Sequence, residues 1–317
     1  MSANRAIPVL RRDAIEAAVE AIDLVPLMEA AFVDYSEGRA QASAVGELLF
    51  VEPPGEAHVK AASARGGDRF VVKVATGFYD NPKHGLPSSS GLMLLFDAAT
   101  GAPHAILLDE GRLTDLRTAA AGAVAARRLA PKDPGAIAVL GAGVQARLQL
   151  AALRPVTTCR RVLVWARRRD AAERLVEEAQ ALGFEARAVD TANAAAREAR
   201  LIVTTTPATD PLLAAADIAP GTHITAVGAD TTEKGELAAD LIARADRLVA
   251  DSRLQARQRG ELRRAPERAV VVELGEVIAG RAVGRGGGAE ITLCDLTGIA
   301  PQDLAIAAAV AAALGHP

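Results

Sequence analysis

The stretch Ala136–Leu153, AIAVLGAGVQARLQLAAL, decides the fold. The small aliphatic residues Ala136 to Leu140 read as a buried strand, and the residues from about Val144 to Leu153 read as a helix. Between them lies a GxGxxA turn with Gly141, Gly143 and Ala146 at its fixed positions. Gly141 allows the tight turn, Gly143 lets the backbone approach a pyrophosphate, and Ala146 lets the helix pack close to the strand. The helix N-terminus at Val144 and Gln145 then offers N–H groups and a positive dipole end to an anion. Glycine-rich turns also serve purely structural ends, so the surrounding pattern decides the reading.

Downstream, strands and helices alternate. Strands are expected at Arg161–Ala166, Glu185–Val189, Leu201–Thr205, His223–Val227, Arg247–Ala250 and Val270–Leu274. Helices are expected at Ala171–Leu182 and Ala192–Ala199, with a last one at Leu304–Leu314. This alternation predicts an α/β fold with a Rossmann-like, doubly wound parallel sheet and a dinucleotide at the glycine turn. Upstream the pattern differs. Leu24–Tyr35 has helical spacing and stops at Gly38, whereas short apolar runs at Leu48–Val51, Phe70–Val74, Leu92–Phe96 and Ala105–Leu108 read as antiparallel strands. Gly101 marks a hairpin, and the Ala-rich stretch Leu113–Leu129 reads as a linking helix ended by Pro131 and Pro134. The N-terminal third is therefore a smaller α+β domain.

NAD-binding folds usually place an acid after the second strand, bonded to the ribose 2′-hydroxyl. Here that strand ends at Ala166 and continues into Arg167-Arg168-Arg169, with no acid before Asp170. Guanidinium groups suit a 2′-phosphate, so the expectation is NADP(H) with Arg167 and Arg168 as contacts, NAD(H) being possible. Arginines after a strand are otherwise ordinary surface residues. Thr204, Thr205 and Thr206 end the strand LIVTTT, where side chains could meet the ribose and nicotinamide.

Composition narrows the class. The 317 residues suit two modest domains, and half are hydrophobic, enough for a sizeable core. A net charge of −3 points to no nucleic-acid or anionic-membrane partner. With 3% aromatics the core must be aliphatic and rich in alanine. Cys159 and Cys294 lie far apart, and His58, His84, His104, His223 and His316 show no ligand spacing, so no disulfide framework or metal site is expected. The charged N-terminus lacks the apolar core of a signal peptide, and no stretch is long enough to span a bilayer; a cytoplasmic protein is expected.

Several segments, in order, resemble the ornithine cyclodeaminase/μ-crystallin family. They are Phe70–Val74, Leu113–Ala120, the glycine turn, Ala226–Asp230 with Lys234 and Glu236, and Leu296–Gly298 with Gln302–Ala305. The run Gly77–Met93 resembles the ectoine-utilisation branch, and the C-terminal segments also resemble branches that reduce imino acids. The resemblance implies a substrate-binding and dimerisation domain over residues 1–120 with 299–317, and a dinucleotide-binding domain over 121–298. It also implies a homodimer and hydride transfer at a carbon bearing nitrogen.

It further implies roles for single residues. Lys73 lies in an apolar strand, where pattern alone puts it on a wet face; the resemblance makes it a buried substrate contact that exchanges protons. Burial and a neighbouring cation would lower its pKa. Arg117, by pattern a solvated helix residue, becomes a carboxylate-binding fork, and Thr118 a cofactor-phosphate contact. Asp230, in a loop after a parallel strand, becomes a general acid/base. Val227, Gly228 and Gly298 resemble backbone positions near the nicotinamide. Where many members carry a carboxylate-gripping arginine, spacing back from Lys60 and Lys73 finds Glu47. A Glu there would attract an amine, or else Arg117 and Lys60 alone hold the carboxylate.

The leading expectation is an NADPH-dependent imine reductase with a small amine or imine substrate, Lys73, Asp230 and Arg117 carrying the chemistry. A cyclodeaminase that expels ammonia is the alternative, and a μ-crystallin-like binding protein is the third.

Overall fold

The computed structural model describes residues 6–78 and 80–317, and for Pro82 only the backbone. Tyr79, within the Gly77–Met93 run, lies outside the described residues, as do the first five residues of the charged N-terminus. The chain divides into a first unit, up to Arg117 with Ile299–Pro317, and a second unit, Thr118–Gly298. The helix Arg112–Leu129 runs on from one into the other.

The second unit is built on an eight-stranded sheet. In space its strands run Glu185–Ala188, Arg161–Trp165, Ile137–Leu140, Leu201–Thr204, His223–Ala226, Thr292–Asp295, Arg247–Ala250, Val271–Glu273. Every pairing is parallel. In chain order the spatial sequence begins third, second, first, fourth, fifth, the doubly wound arrangement, whose direction reverses between Ile137–Leu140 and Leu201–Thr204. Alternate residues of each inner strand feed two cores. Ala138, Leu140, Ile202 and Ile224 pack with Ala195, Ala196 and Leu241. Ile137, Val139, Val162, Val164 and Val203 pack with Ala146, Leu150, Ala172 and Leu175. Burial on both faces explains why these strands read as continuous apolar runs. The many alanines explain how helices sit close on the sheet with so few aromatic rings.

Three features of this unit escape the sequence pattern. The strand Thr292–Asp295 is buried at every position yet ends in an acid. The helices Ala239–Arg244 and Arg253–Arg259 are too short to show a period. The strand read at Val270–Leu274 shortens to Val271–Glu273 and runs into the helix Leu274–Ile278.

Among the described residues, the first unit has a seven-stranded sheet. Its order is Val9–Arg11, Pro103–Leu108, Ser89–Asp97, Arg69–Phe78, Gly55–Ala64, with both Ala40–Ala42 and Gly46–Phe50 on the far side of Gly55–Ala64. Only Val9–Arg11 pairs in parallel; the others are antiparallel. Helices Leu24–Ser36 and Ala300–Ala313 pack together, and the latter lies on Gly55–Ala64 and Arg69–Phe78. Phe32, Met28, Val71, Met93, Leu95 and Leu107 are fully covered. The ten-residue strand Gly55–Ala64 is not announced by its sequence, because GEAHVKAASA carries a single β-branched residue, Val59.

Candidate functional site

The two units each carry a constellation of polar groups. In the second unit the constellation lies at the reversal point of the sheet. A cavity of about 290 Å³ is lined by Gly141–Gly143, Trp165–Arg168, Ala171, Thr205–Ala208 and Leu212. Gly141 has φ +120°, and a Cβ there would lie 2.4 Å from Thr205 Oγ1. Only glycine fits that conformation and that approach. A Cβ on Gly143 would meet nothing within 4 Å, so the backbone faces open space at the start of the helix Val144–Leu153. This is a cradle of the kind that takes a pyrophosphate, and the residues fit a dinucleotide.

Arg167 and Arg168 line the cavity and are exposed, whereas Arg169 is drawn to Glu173 at 2.9 Å and Asp190 at 2.6 Å. Asp170, the first acid after the strand, pairs with Arg174 at 2.9 Å and lies 3.7 Å from Arg168. Thr205 and Thr206 line the same cavity. Thr204 does not. It is fully buried and its hydroxyl donates to Glu236 Oε2 at 2.6 Å, so it supports the wall from behind, a correction to its expected place beside the cofactor. Val144 and Gln145 form the first helical turn, and Val144 is exposed. Thr118 is half-buried, and its carbonyl accepts from Gln149 Nε2 at 3.1 Å.

Beyond the strand His223–Ala226, Val227 and Gly228 lead to Asp230. The Gly228 N–H donates to Glu236 Oε2 at 3.0 Å. Asp230 is half-exposed; its carboxylate accepts from Lys234 Nζ at 2.8 Å and its carbonyl from Arg259 Nε at 2.6 Å. Gly298 is buried and donates to Asp251 Oδ2 at 2.6 Å.

In the first unit, register places Lys60, Lys73 and Met93 side by side across three strands. Cross-strand neighbours share a face, and Met93 is fully buried, so this row points into the core. Lys73 is 2% exposed, which overturns the wet-face reading of its pattern. The run FVVKV is apolar on both sides of the lysine and carries no phase. Two lysines directly opposite repel, and each loses hydration, unless an anion compensates.

The anion is Asp303, near the start of the helix Ala300–Ala313. Its Oδ2 lies 2.8 Å from Lys73 Nζ and its Oδ1 3.0 Å from Arg117 Nε, and all three residues are buried. Arg117 also donates to Gln302 Oε1 at 3.4 Å. It is therefore a core residue of its helix, not a solvated one. Burial would raise the Asp303 carboxyl, but Lys73, Arg117 and Lys60 overcome this and hold it below the usual carboxylate range. Burial draws the Lys73 ammonium below the usual lysine range, Arg117 lowers it further, and Asp303 opposes both. Asp109 adds a second carboxyl, pushed up to about 6 by burial although it accepts from the Leu113 N–H at 2.8 Å. Three cations, Lys60, Lys73 and Arg117, thus lie around Asp303, with Asp109 a second carboxyl that burial makes reluctant to ionise. Such a cluster of cationic groups suits an anion. In the sequence Asp303 stands within the Gln302–Ala305 segment that carries the resemblance, just before the expected helix Leu304–Leu314, and nothing local marks it as the counter-ion of Lys73.

Glu47, in the strand Gly46–Phe50, lies 3.1 Å from His58 Nε2.

The model of the ornithine cyclodeaminase/mu-crystallin family matches residues 7–314. An uncharacterised cyclodeaminase of Sinorhizobium fredii is 48% identical over 260 residues, covering 80% of this chain and 78% of that one. The iminosuccinate reductase of Paracoccus denitrificans is 38% identical over 255 residues, covering 78% of each. Among solved structures, the Δ1-pyrroline-2-carboxylate reductase of Thermococcus litoralis, in complex with NADH and L-proline, superposes with a TM-score of 0.91 at 29% identity over 98% of both chains. An archaeal alanine dehydrogenase dimer with bound NAD has a TM-score of 0.87 at 32% identity, covering 97% of this chain and 95% of that one. The chain belongs to the ornithine cyclodeaminase/mu-crystallin family.

Proposed function

We propose that this protein is an NADPH-dependent reductase of imines that carry a carboxylate beside the C=N carbon. The observation that carries the reading is the buried cluster of cationic groups formed by Lys60, Lys73 and Arg117 around Asp303. A small carboxylate would be drawn to those cations. Arg117 has donors beyond those spent on Asp303 and Gln302, and with Lys60 it would hold the carboxylate. Lys73, drawn below the ordinary lysine range, would exchange a proton with the substrate nitrogen at Nζ. Asp230, held by Lys234, would serve as general acid/base. The dinucleotide supplies the hydride; Gly141 and Gly143 give its pyrophosphate room, with Thr205 and Thr206 along the wall.

NADPH rather than NADH is favoured by Arg167 and Arg168 at the cavity, with the first acid after the strand already engaged by Arg174. Relatives solved with a bound cofactor carry NADH, NAD and NAD+, so this preference would set the chain apart from them. A homodimer is supported by the dimeric alanine dehydrogenase and by the exposed run Leu48, Leu49, Phe50 and Val51. A cytoplasmic location fits the absence, among the described residues, of any helix long and apolar enough to cross a membrane. The placement in an ectoine-utilisation branch rests on the Gly77–Met93 run alone.

The second reading is a cyclodeaminase, favoured by the name of the Sinorhizobium fredii relative and by Glu47, which offers an anion for a substrate's second amine. The test is a turnover screen with NADPH and NADH over cyclic imino acids and diamino acids, following cofactor oxidation and ammonia together. Oxidation of NADPH by a cyclic imino acid without ammonia release supports the reductase; ammonia release from a diamino acid with no net cofactor change overturns it.

A further inference from the structure

Glu236 is a fully buried carboxylate that takes no part in proton or hydride movement as described above. It accepts from Thr206 N at 2.6 Å and Thr206 Oγ1 at 2.7 Å on Oε1, and from Thr204 Oγ1 at 2.6 Å and Gly228 N at 3.0 Å on Oε2. Its own segment is stitched to the same place by backbone bonds: Gly235 N donates to Ala208 O at 2.7 Å, and Leu212 N to Glu236 O at 2.7 Å. Behind it, Glu261 accepts from the N–H groups of Glu236 and Leu237, and Arg264 bonds the Leu237 carbonyl. Thr206, Ala208 and Leu212 are one wall of the dinucleotide cavity. That wall follows the fourth strand of the doubly wound order, whereas Arg167 and Arg168 follow the second. In this arrangement the two halves of a dinucleotide lie on opposite sides of the first strand, so the Thr206–Leu212 wall serves the nicotinamide half.

We propose that Glu236 is a positioning residue: its carboxylate fixes the Thr206–Leu212 wall and the Gly228 backbone, and through them the nicotinamide half of the cofactor. This rests on the reading of the second unit as the dinucleotide site. The chemistry demands a carboxylate. Each of its oxygens faces a backbone N–H that cannot reverse its role, Thr206 on one side and Gly228 on the other. A glutamine, whichever way it turns, sets an NH₂ against one of them. The space is also closed, since a Cβ on Gly228 would lie 2.2 Å from the Thr206 carbonyl oxygen. Burial pushes the Glu236 carboxyl up to about 7, so the ionised form that accepts four hydrogen bonds prevails in mildly alkaline solution.

The test uses Trp165, the only tryptophan of the chain, which lines the same cavity. Full-length wild type, Glu236→Gln and Thr204→Val are titrated in mildly alkaline buffer with NADPH, NADH and 2′-phospho-ADP-ribose, reading Trp165 quenching. In Glu236→Gln both dinucleotides are expected to bind about tenfold more weakly or worse, while the fragment without nicotinamide stays within about twofold. Thr204→Val removes one of the four donors and shifts the dinucleotides the same way by less. If Glu236→Gln does not fold by circular dichroism, Thr204→Val decides. Unchanged dinucleotide affinity in a folded variant overturns the proposal, as does an equal loss for the fragment, which would mark general loosening. Failure of the wild type to bind either dinucleotide instead overturns the underlying reading of the unit.

Discussion

Lys73 Nζ and Asp303 Oδ2 lie 2.8 Å apart with both side chains sealed from solvent, though 230 positions separate them in the chain. The last helix thus returns to the first sheet to place a counter-ion beside the one lysine that its apolar strand carries. Without Asp303, burial and Arg117 would both act to strip the lysine of its proton. Replacing Asp303 by Asn is therefore expected to move the alkaline limb of the kcat/KM profile to lower pH and to reduce kcat/KM by about tenfold or more. Asp303→Ala removes the buried carboxylate that Lys73 and Arg117 share and is expected to destabilise the fold by roughly 3–5 kcal/mol. Urea unfolding and a pH–rate series check these two effects.

Arg167 and Arg168 are expected to contribute to NADPH binding and to little else. Changing both to Ala should raise the KM for NADPH by about tenfold while leaving that for NADH within about twofold. The ratio of the two KM values, measured with one substrate, is the readout. Both guanidiniums are exposed, so thermal stability should hardly change.

Gly141→Ala tests the cradle itself. The added Cβ would sit 2.4 Å from Thr205 Oγ1 on a backbone at φ +120°. Loss of dinucleotide binding by at least about a hundredfold in Trp165 quenching is the expected result, with partial loss of stability of about 1–3 kcal/mol.

His223 sets an acid limit. Burial draws its imidazole down to about 3 from 6.5, and the ring is shared between Thr292 Oγ1 at 2.8 Å and Thr225 Oγ1 at 3.0 Å. A depressed folded pKa means that its stabilising effect is complete above the unfolded value of 6.5 and is lost as pH falls toward 3. A shift of this size corresponds to roughly 4–5 kcal/mol. The variant His223→Gln is expected to start less stable near neutrality but to lose stability less steeply over that window. Urea midpoints at stepped pH give the comparison.

The exposed run Leu48–Val51 predicts self-association. Leu48, on the strand Gly46–Phe50, is 63% exposed and Val51, just after it, 93%; among the described residues that strand pairs with Gly55–Ala64 alone. Wild type is expected to elute as a dimer, and Leu48→Glu combined with Val51→Glu as a folded monomer, by light scattering after gel filtration.

Much of the second unit was legible in the sequence because its signals are local. A glycine turn between a strand and a helix, and apolar runs spaced by Ala-rich helices, state a doubly wound sheet without any long-range information. The first unit was less legible. Gly55–Ala64 is a ten-residue strand made largely of Ala, Ser and charged residues, stabilised by neighbours on both sides that its own sequence does not announce. The burial of Lys73 followed from the resemblance and not from its own pattern, and that of Arg117 was not marked by its pattern, for a related reason. Their pattern allowed either face, and what makes the inner face tolerable is Asp303, contributed from the far end of the chain. Glu236 was visible as a residue in a matching segment; its four hydrogen bonds depend on two strand ends coming together. Charge compensation and strand-end geometry are tertiary facts, and no local period encodes them.

The most direct test of the account is steady-state reduction of a cyclic imino acid such as Δ1-piperideine-2-carboxylate with NADPH, by wild type and by Lys73→Ala. The account predicts NADPH oxidation by wild type, one equivalent of cyclic amino acid formed, no ammonia released, and a loss of about a hundredfold or more in Lys73→Ala. Equal rates in the two proteins, or ammonia release from a diamino acid as the sole wild-type activity, would contradict it.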